Sequence, residues 1–162
     1  MKTLLVMRHA KSGPAQHGME DHARPLNERG RQDAPQMGRF LAQQGLRPGV
    51  VISSTAKRAR KTAELVAKAL EFTGTIEATE TLYLAEPSKY IQRLALLDDT
   101  IDTALLIGHN PAIEGLITKL SGEPVVMPTA AVARIDLDIS DWAGVGKTKT
   151  GSLKAVWRPK EI

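Results

Sequence analysis

Short apolar runs of strand length alternate with segments of helical spacing along this chain, and that alternation limits the fold more than any other feature. Leu4-Leu5-Val6-Met7 opens the series as a short buried strand. Strand-like runs recur at 49–53, 75–79 and 103–108. Helices are expected between them at 28–44, 55–70 and 88–97, and after the fourth at 111–120. Their inward positions repeat at helical spacing: Ala34, Met37, Phe40 and Leu41; then Ala59, Ala63, Val66, Ala67 and Leu70; then Ile91, Leu94 and Ala95. Asn27 is placed to cap the first helix and Gly45 to end it. Strands separated by helices predict an α/β three-layer sandwich, with a largely parallel central sheet and helices on both faces. Two last strands, 130–137 and 152–158, follow one another across a turn region at 141–151 and are expected to be antiparallel at one side. The 162 residues, without internal repeat or linker, are expected to form one domain, 1–162.

Composition narrows the chemistry. Aromatic residues make up only 4%, so the core is expected to be built of Leu, Val, Ile and Ala. The absence of cysteine excludes disulfides, thiolate nucleophiles and cysteine-based zinc sites. The N-terminal apolar run is too short for a signal peptide and ends at Arg8, and no run reaches membrane-spanning length, so a cytoplasmic protein is expected. A net charge of +4 favours anionic partners. Basic residues interleaved with aromatics and a recognition-helix pattern are both missing, so nucleic acid is not the expected partner.

The chemistry-bearing residues fall where strands end. The first strand runs into Arg8-His9, and the fourth into His109-Asn110-Pro111. Asn110 is expected to cap the following helix, with Pro111 at its first position. The second strand leads through Ser53-Ser54 into a helix carrying Arg58. An Arg beside a His is ordinary on a protein surface. Two histidines at two strand ends are not, because open α/β sheets build sites there. If these side chains converge, two guanidinium forks bracket a tetrahedral dianion. A neutral imidazole, with an ordinary pKa of ~6.5, is a competent nucleophile. Helix N-termini add amide dipoles of the right sign. Phosphoryl transfer needs little else, and no metal is demanded. The long loop 11–25 holds Lys11 and Arg24, which are able to face an anion, and His17 and His22, expected to be solvated. Asp98, Asp99 and Asp102 are expected to form a solvated acidic turn.

Four ordered stretches carry a family resemblance. They are Leu5-Val6-Met7-Arg8-His9-Ala10-Lys11-Ser12, Arg24-Pro25-Leu26-Asn27-Glu28-Arg29-Gly30, Ser53-Ser54 through Arg58-Ala59 to Thr62-Ala63-Glu64, and Leu106-Ile107-Gly108-His109-Asn110-Pro111. Together they resemble the histidine phosphatase superfamily, which includes phosphoglycerate mutases, and most of all its short SixA-type phosphohistidine phosphatase branch. The resemblance implies a metal-independent phosphatase without a cofactor. His9 would be the nucleophile that becomes phosphorylated, Arg8 and Arg58 would bind the phosphoryl group, His109 would donate to it, and Arg24 would reach it from the loop. The superfamily's Arg-His-Gly is Arg-His-Ala here. Many members carry a carboxylate general acid; Glu80 and Glu86 lie in about the right region, but neither sits in a recognisable motif. An alkoxide leaving group needs that proton, whereas an imidazole carries its own. Phosphohistidine on a protein is therefore the expected substrate. A small phosphate ester, or a non-catalytic phosphate- or phosphoprotein-binding module, is the alternative.

Overall fold

The computed structural model describes residues 1–147 and 150–162 of the chain. Among them, strands β1 (Lys2–Arg8), β2 (Val50–Ser54), β3 (Ile76–Thr79), β4 (Thr103–Gly108), β5 (Val132–Leu137) and β6 (Gly151–Trp157) form one sheet in the order β3-β2-β4-β1-β5-β6. β1 and β2 each pair with β4 in parallel, as does β2 with β3. β5 runs antiparallel to both β1 and β6, so the last two strands pair antiparallel at one side as expected. The helices are α1 (Glu28–Gln43), α2 (Lys57–Ala69), α3 (Pro87–Leu94) and α4 (Ala112–Ser121).

The two-residue period of each strand divides the core in two. Leu4 and Val6 of β1 meet Tyr90, Leu94, Ile113 and Leu116 of α3 and α4. Leu5 and Met7 meet Met37, Leu41, Ala63 and Val66 of α1 and α2. The result is the expected α/β sandwich of three layers.

The crossovers explain where a site forms. From β1 the chain steps through α1 to β2 and through α2 to β3, toward one edge, with both helices on one face. It returns through α3 to β4, which slots between β1 and β2, and α3 and α4 cover the other face. Reversing direction at constant crossover hand requires that change of face. Helices α1 and α4 therefore leave neighbouring strands toward opposite faces. This opens a crevice at the C-terminal ends of β1 and β4, the place where open α/β sheets take ligands.

Asn27 caps α1, accepting from the Gly30 N–H at 2.9 Å, and Gly45 follows the helix with φ +72°. Asn110 caps α4 from one residue farther out than expected. Pro111 holds the cap position and the helix begins at Ala112. The Asn110 side chain is turned to Glu114, accepting from its N–H at 3.3 Å and donating to its carboxylate at 2.7 Å. Of the turn region expected at 141–151, positions 148 and 149 lie outside the described residues.

The acidic turn at 98–102 is exposed, but it is not merely solvated. Lys2, 4% exposed, donates to the Asp99 carbonyl and pairs with Asp102 at 3.6 Å. The Asp99 carboxylate accepts from the Trp142 N–H at 2.9 Å, and the buried indole donates to the Ile101 carbonyl at 2.8 Å. Among the described residues, no helix is long and apolar enough to cross a membrane.

Candidate active site

The register of β1 against β4 sets Arg8 opposite Gly108, so the residues that follow, His9 and His109, leave the sheet side by side. The His9 N–H donates to the Gly108 carbonyl at 3.0 Å. The two ring centroids lie 5.1 Å apart with their planes at 55°. Arg8, His9, Arg24, Arg58 and His109 line a single cleft of about 520 Å³. All five residues singled out from the sequence are brought together.

His9 is buried, and its Nδ1 bonds the Ala10 carbonyl at 2.8 Å. A carbonyl only accepts, so Nδ1 carries the proton and Nε2 keeps the lone pair. Thr62 holds this turn in place, accepting from the Ala10 N–H at 2.9 Å and donating to the Arg58 carbonyl at 2.7 Å. Burial, and then the charges of Arg58, Arg8 and Arg24, lower the His9 pKa to about 4.

His109 meets the Ser54 hydroxyl through Nε2 at 2.9 Å. Its backbone N–H donates to the Tyr90 hydroxyl at 3.2 Å, and that hydroxyl donates to the Leu82 carbonyl at 3.1 Å. Gly108 is needed for this approach, because a Cβ there would collide with the Tyr90 ring and hydroxyl. Burial first, then His9 and Arg58, lower the His109 pKa to about 3. Both rings are neutral at pH 7.

The cations are held by protein groups. Arg58, in the first turn of α2, donates to the Asp21 carbonyl at 2.8 Å and to its carboxylate at 3.0 Å. Asp21 also accepts from Tyr83 at 2.6 Å and Arg24 at 2.9 Å. Tyr83 first, then Arg24, hold its carboxyl well below the usual carboxylate range, so Asp21 is no proton donor at neutral pH. Arg24 further donates to the Gly13 carbonyl and to Ser12 Oγ, so every guanidinium nitrogen has a protein partner. Arg8 donates through Nη1 to the Met127 carbonyl at 3.1 Å. Its Nε is buried without a partner among the described residues. An N–H left that way costs about 1–3 kcal/mol.

Sequence reasoning missed Asp21, Thr62, Tyr83 and the place of His22. Far from being solvated, His22 bonds Thr55 Oγ1 at 2.9 Å and sits edge-on to Tyr83 at 4.8 Å. One signal was available: Asp21 lies three residues before Arg24, the spacing of a 3-10 turn, and that turn forms at Asp21–Ala23. Glu86 is exposed on the wall of the cleft, whereas Glu80 lies outside it. Among the described residues, no three His, Asp or Glu side chains gather as metal ligands would.

Comparison with known proteins identifies relatives. The profile of the histidine phosphatase superfamily (branch 1) matches residues 4–86. An uncharacterized protein of Mycobacterium leprae is 35% identical over 120 residues, which span 72% of this chain and 71% of that protein. The phosphohistidine phosphatase SixA of Escherichia coli is 29% identical over 143 residues, spanning 85% and 86% of the two chains. The crystal structure of a SixA-type protein from Agrobacterium tumefaciens aligns at a TM-score of 0.84 with 27% identity, covering 98% of each chain.

Proposed function

This chain belongs to the histidine phosphatase superfamily, and from that membership we propose that it is a metal-independent phosphatase acting through a phosphorylated His9 on phosphohistidine in a protein. The observation that carries this reading is the pairing of two neutral imidazoles, 5.1 Å apart, in a cleft lined by three arginines. The lone pair of His9 Nε2 attacks phosphorus in line. The new N–P bond forms as the bond to the leaving imidazole nitrogen breaks, and that imidazole, already protonated on its other nitrogen, departs neutral. Arg8 and Arg58 neutralise the equatorial oxygens. The Ala10 carbonyl holds Nδ1–H and steadies the positive phospho-imidazole. Water then attacks phosphorus and passes a proton to a phosphate oxygen as the bond to His9 Nε2 breaks, so phosphate is released and His9 returns to its neutral, Nδ1-protonated form. The low imidazole pKa values keep the nucleophile unprotonated until a dianion arrives. The same dianion raises the pKa of His109 and favours its N–H as a donor.

Leaving-group chemistry supports phosphohistidine. Asp21 cannot supply a proton, and an imidazole leaving group asks for none from a carboxyl. The phosphohistidine phosphatase among the relatives supports the same choice. One observation favours a second reading, a small phosphate ester: Glu86 stands on the cleft wall, where a general acid would be useful.

The test compares kcat/KM for a phosphohistidine peptide and an alkyl phosphate, in the wild type and in Glu86→Gln. The phosphohistidine peptide is expected to be favoured by about 10²-fold or more, the scale of general-acid assistance, and to be nearly indifferent to Glu86→Gln. Preference for the alkyl phosphate, lost in Glu86→Gln, would instead establish the ester reading.

A further inference from the structure

Resting on the phosphohistidine-protein reading, we propose that a second groove beside the cleft docks an acidic segment of the protein that carries the phosphoryl group. The groove measures about 430 Å³ and shares a wall with the catalytic cleft, since Lys11 and Thr129 line both. The 126–129 loop is built into that wall from its two sides. Arg8, in the cleft, donates to the Met127 carbonyl, and Arg158, in the groove, donates to the Val126 carbonyl at 2.9 Å. A chain segment leaving a phosphorylated residue at His9 would therefore meet the groove directly.

The groove is positively charged. It is lined by Lys11, Arg29, Arg158 and Lys160 against Asp33 and Glu161. Both carboxylates are already paired, Asp33 with Arg29 at 3.4 Å and Glu161 with Arg158 at 3.3 Å. Lys11 and Lys160 form no ion pair among the described residues, and both are exposed. A groove with this balance attracts and orients a segment carrying Asp or Glu.

The rim carries a feature suited to a macromolecule. Leu84, 83% exposed, lines the cleft and holds φ +53°, a left-handed conformation uncommon outside glycine. Val126, whose carbonyl accepts from the groove residue Arg158, is 71% exposed. Exposed apolar side chains beside a site offer nothing to a small phosphate ester, but they bury area against a protein surface.

The experiment uses two phosphohistidine peptides that differ only in their flanks, acidic in one and neutral in the other. At low salt the acidic peptide is expected to show about tenfold higher kcat/KM, expressed in KM, and high salt should erase the difference. The double variant Arg29→Glu/Lys160→Glu should lose the preference while turning over p-nitrophenyl phosphate as the wild type does. Arg29→Gln/Lys160→Gln serves the same purpose if charge reversal impairs folding. Equal kcat/KM for the two peptides in the wild type, or a preference that survives both double variants, overturns the docking surface. Turnover of neither peptide, beside normal aryl phosphate turnover, overturns the phosphohistidine reading itself and the docking surface with it.

Discussion

At the N-terminal ends of β1 and β4, Lys2 is buried within 6.0 Å of the Trp142 ring and bonded to Asp99 and Asp102. At the C-terminal ends of the same two strands, Arg8, Arg24 and Arg58 crowd two neutral imidazoles, with the Asp21 carboxylate among them and one Arg8 nitrogen unpartnered. Both ends gather charges around buried rings. At the lower end the charges satisfy one another, and the gain is stability. At the upper end the cations outnumber the groups that face them, and the excess is what an oxyanion would neutralise. Counting charges along the sequence does not separate these ends; partner satisfaction does.

Substitutions should break the two ends differently. His9→Ala is expected to lower kcat by about 10⁴-fold, roughly 5.5 kcal/mol of barrier, while leaving the thermal midpoint near that of the wild type. Trp142→Ala should do the reverse, lowering unfolding free energy by about 3–5 kcal/mol in urea with kcat of the folded protein unchanged. A loss of kcat in Trp142→Ala at full folding would show that the two ends are not separable.

Asp21→Ala sharpens the comparison within the upper end. Its carboxylate reduces the positive charge, yet it also fixes Arg58 and Arg24 in place. Positioning is expected to outweigh charge, so kcat/KM for a phosphohistidine peptide should fall about tenfold; a rise would show that charge outweighs positioning.

A further difference between the two ends concerns pH. The folded pKa values of His9 and His109 are lowered to about 4 and about 3, so below ~6.5 the unfolded chain binds more protons. The stability involved is full above that pH and is lost as pH falls toward 4, by up to about 1.4 kcal/mol per pH unit for each histidine. Asp21, with its carboxyl also lowered, contributes only in a more acidic window. Denaturant titrations at pH 7, 5.5 and 4 should show the decline, and a His9→Gln/His109→Gln double variant should flatten it.

Much of this was legible from residue pattern because it rests on local periodicity. Strand runs, inward helical positions and the Arg8-His9 and His109 strand ends all follow from spacing within a few residues. What was not legible depends on partners far along the chain. The insertion of β4 between β1 and β2, which makes His9 and His109 neighbours, has no local signature. Nor does the link from Thr62 to Ala10, or from Tyr83 to Asp21. The acidic turn looked solvated because its partners, Lys2 and Trp142, lie on other elements. The Asn110 cap acts from one residue farther out because Pro111 lies in the turn ahead of Ala112, a boundary that side-chain preference alone does not set.

The central claim is that His9 carries the phosphoryl group during turnover. Mixing enzyme with a ³²P-phosphohistidine peptide and quenching in alkali within milliseconds, followed by peptide mapping, tests it directly. The account predicts alkali-stable, acid-labile label on Nε2 of His9, formed no more slowly than phosphate is released. Steady phosphate release with no label on His9 would contradict it.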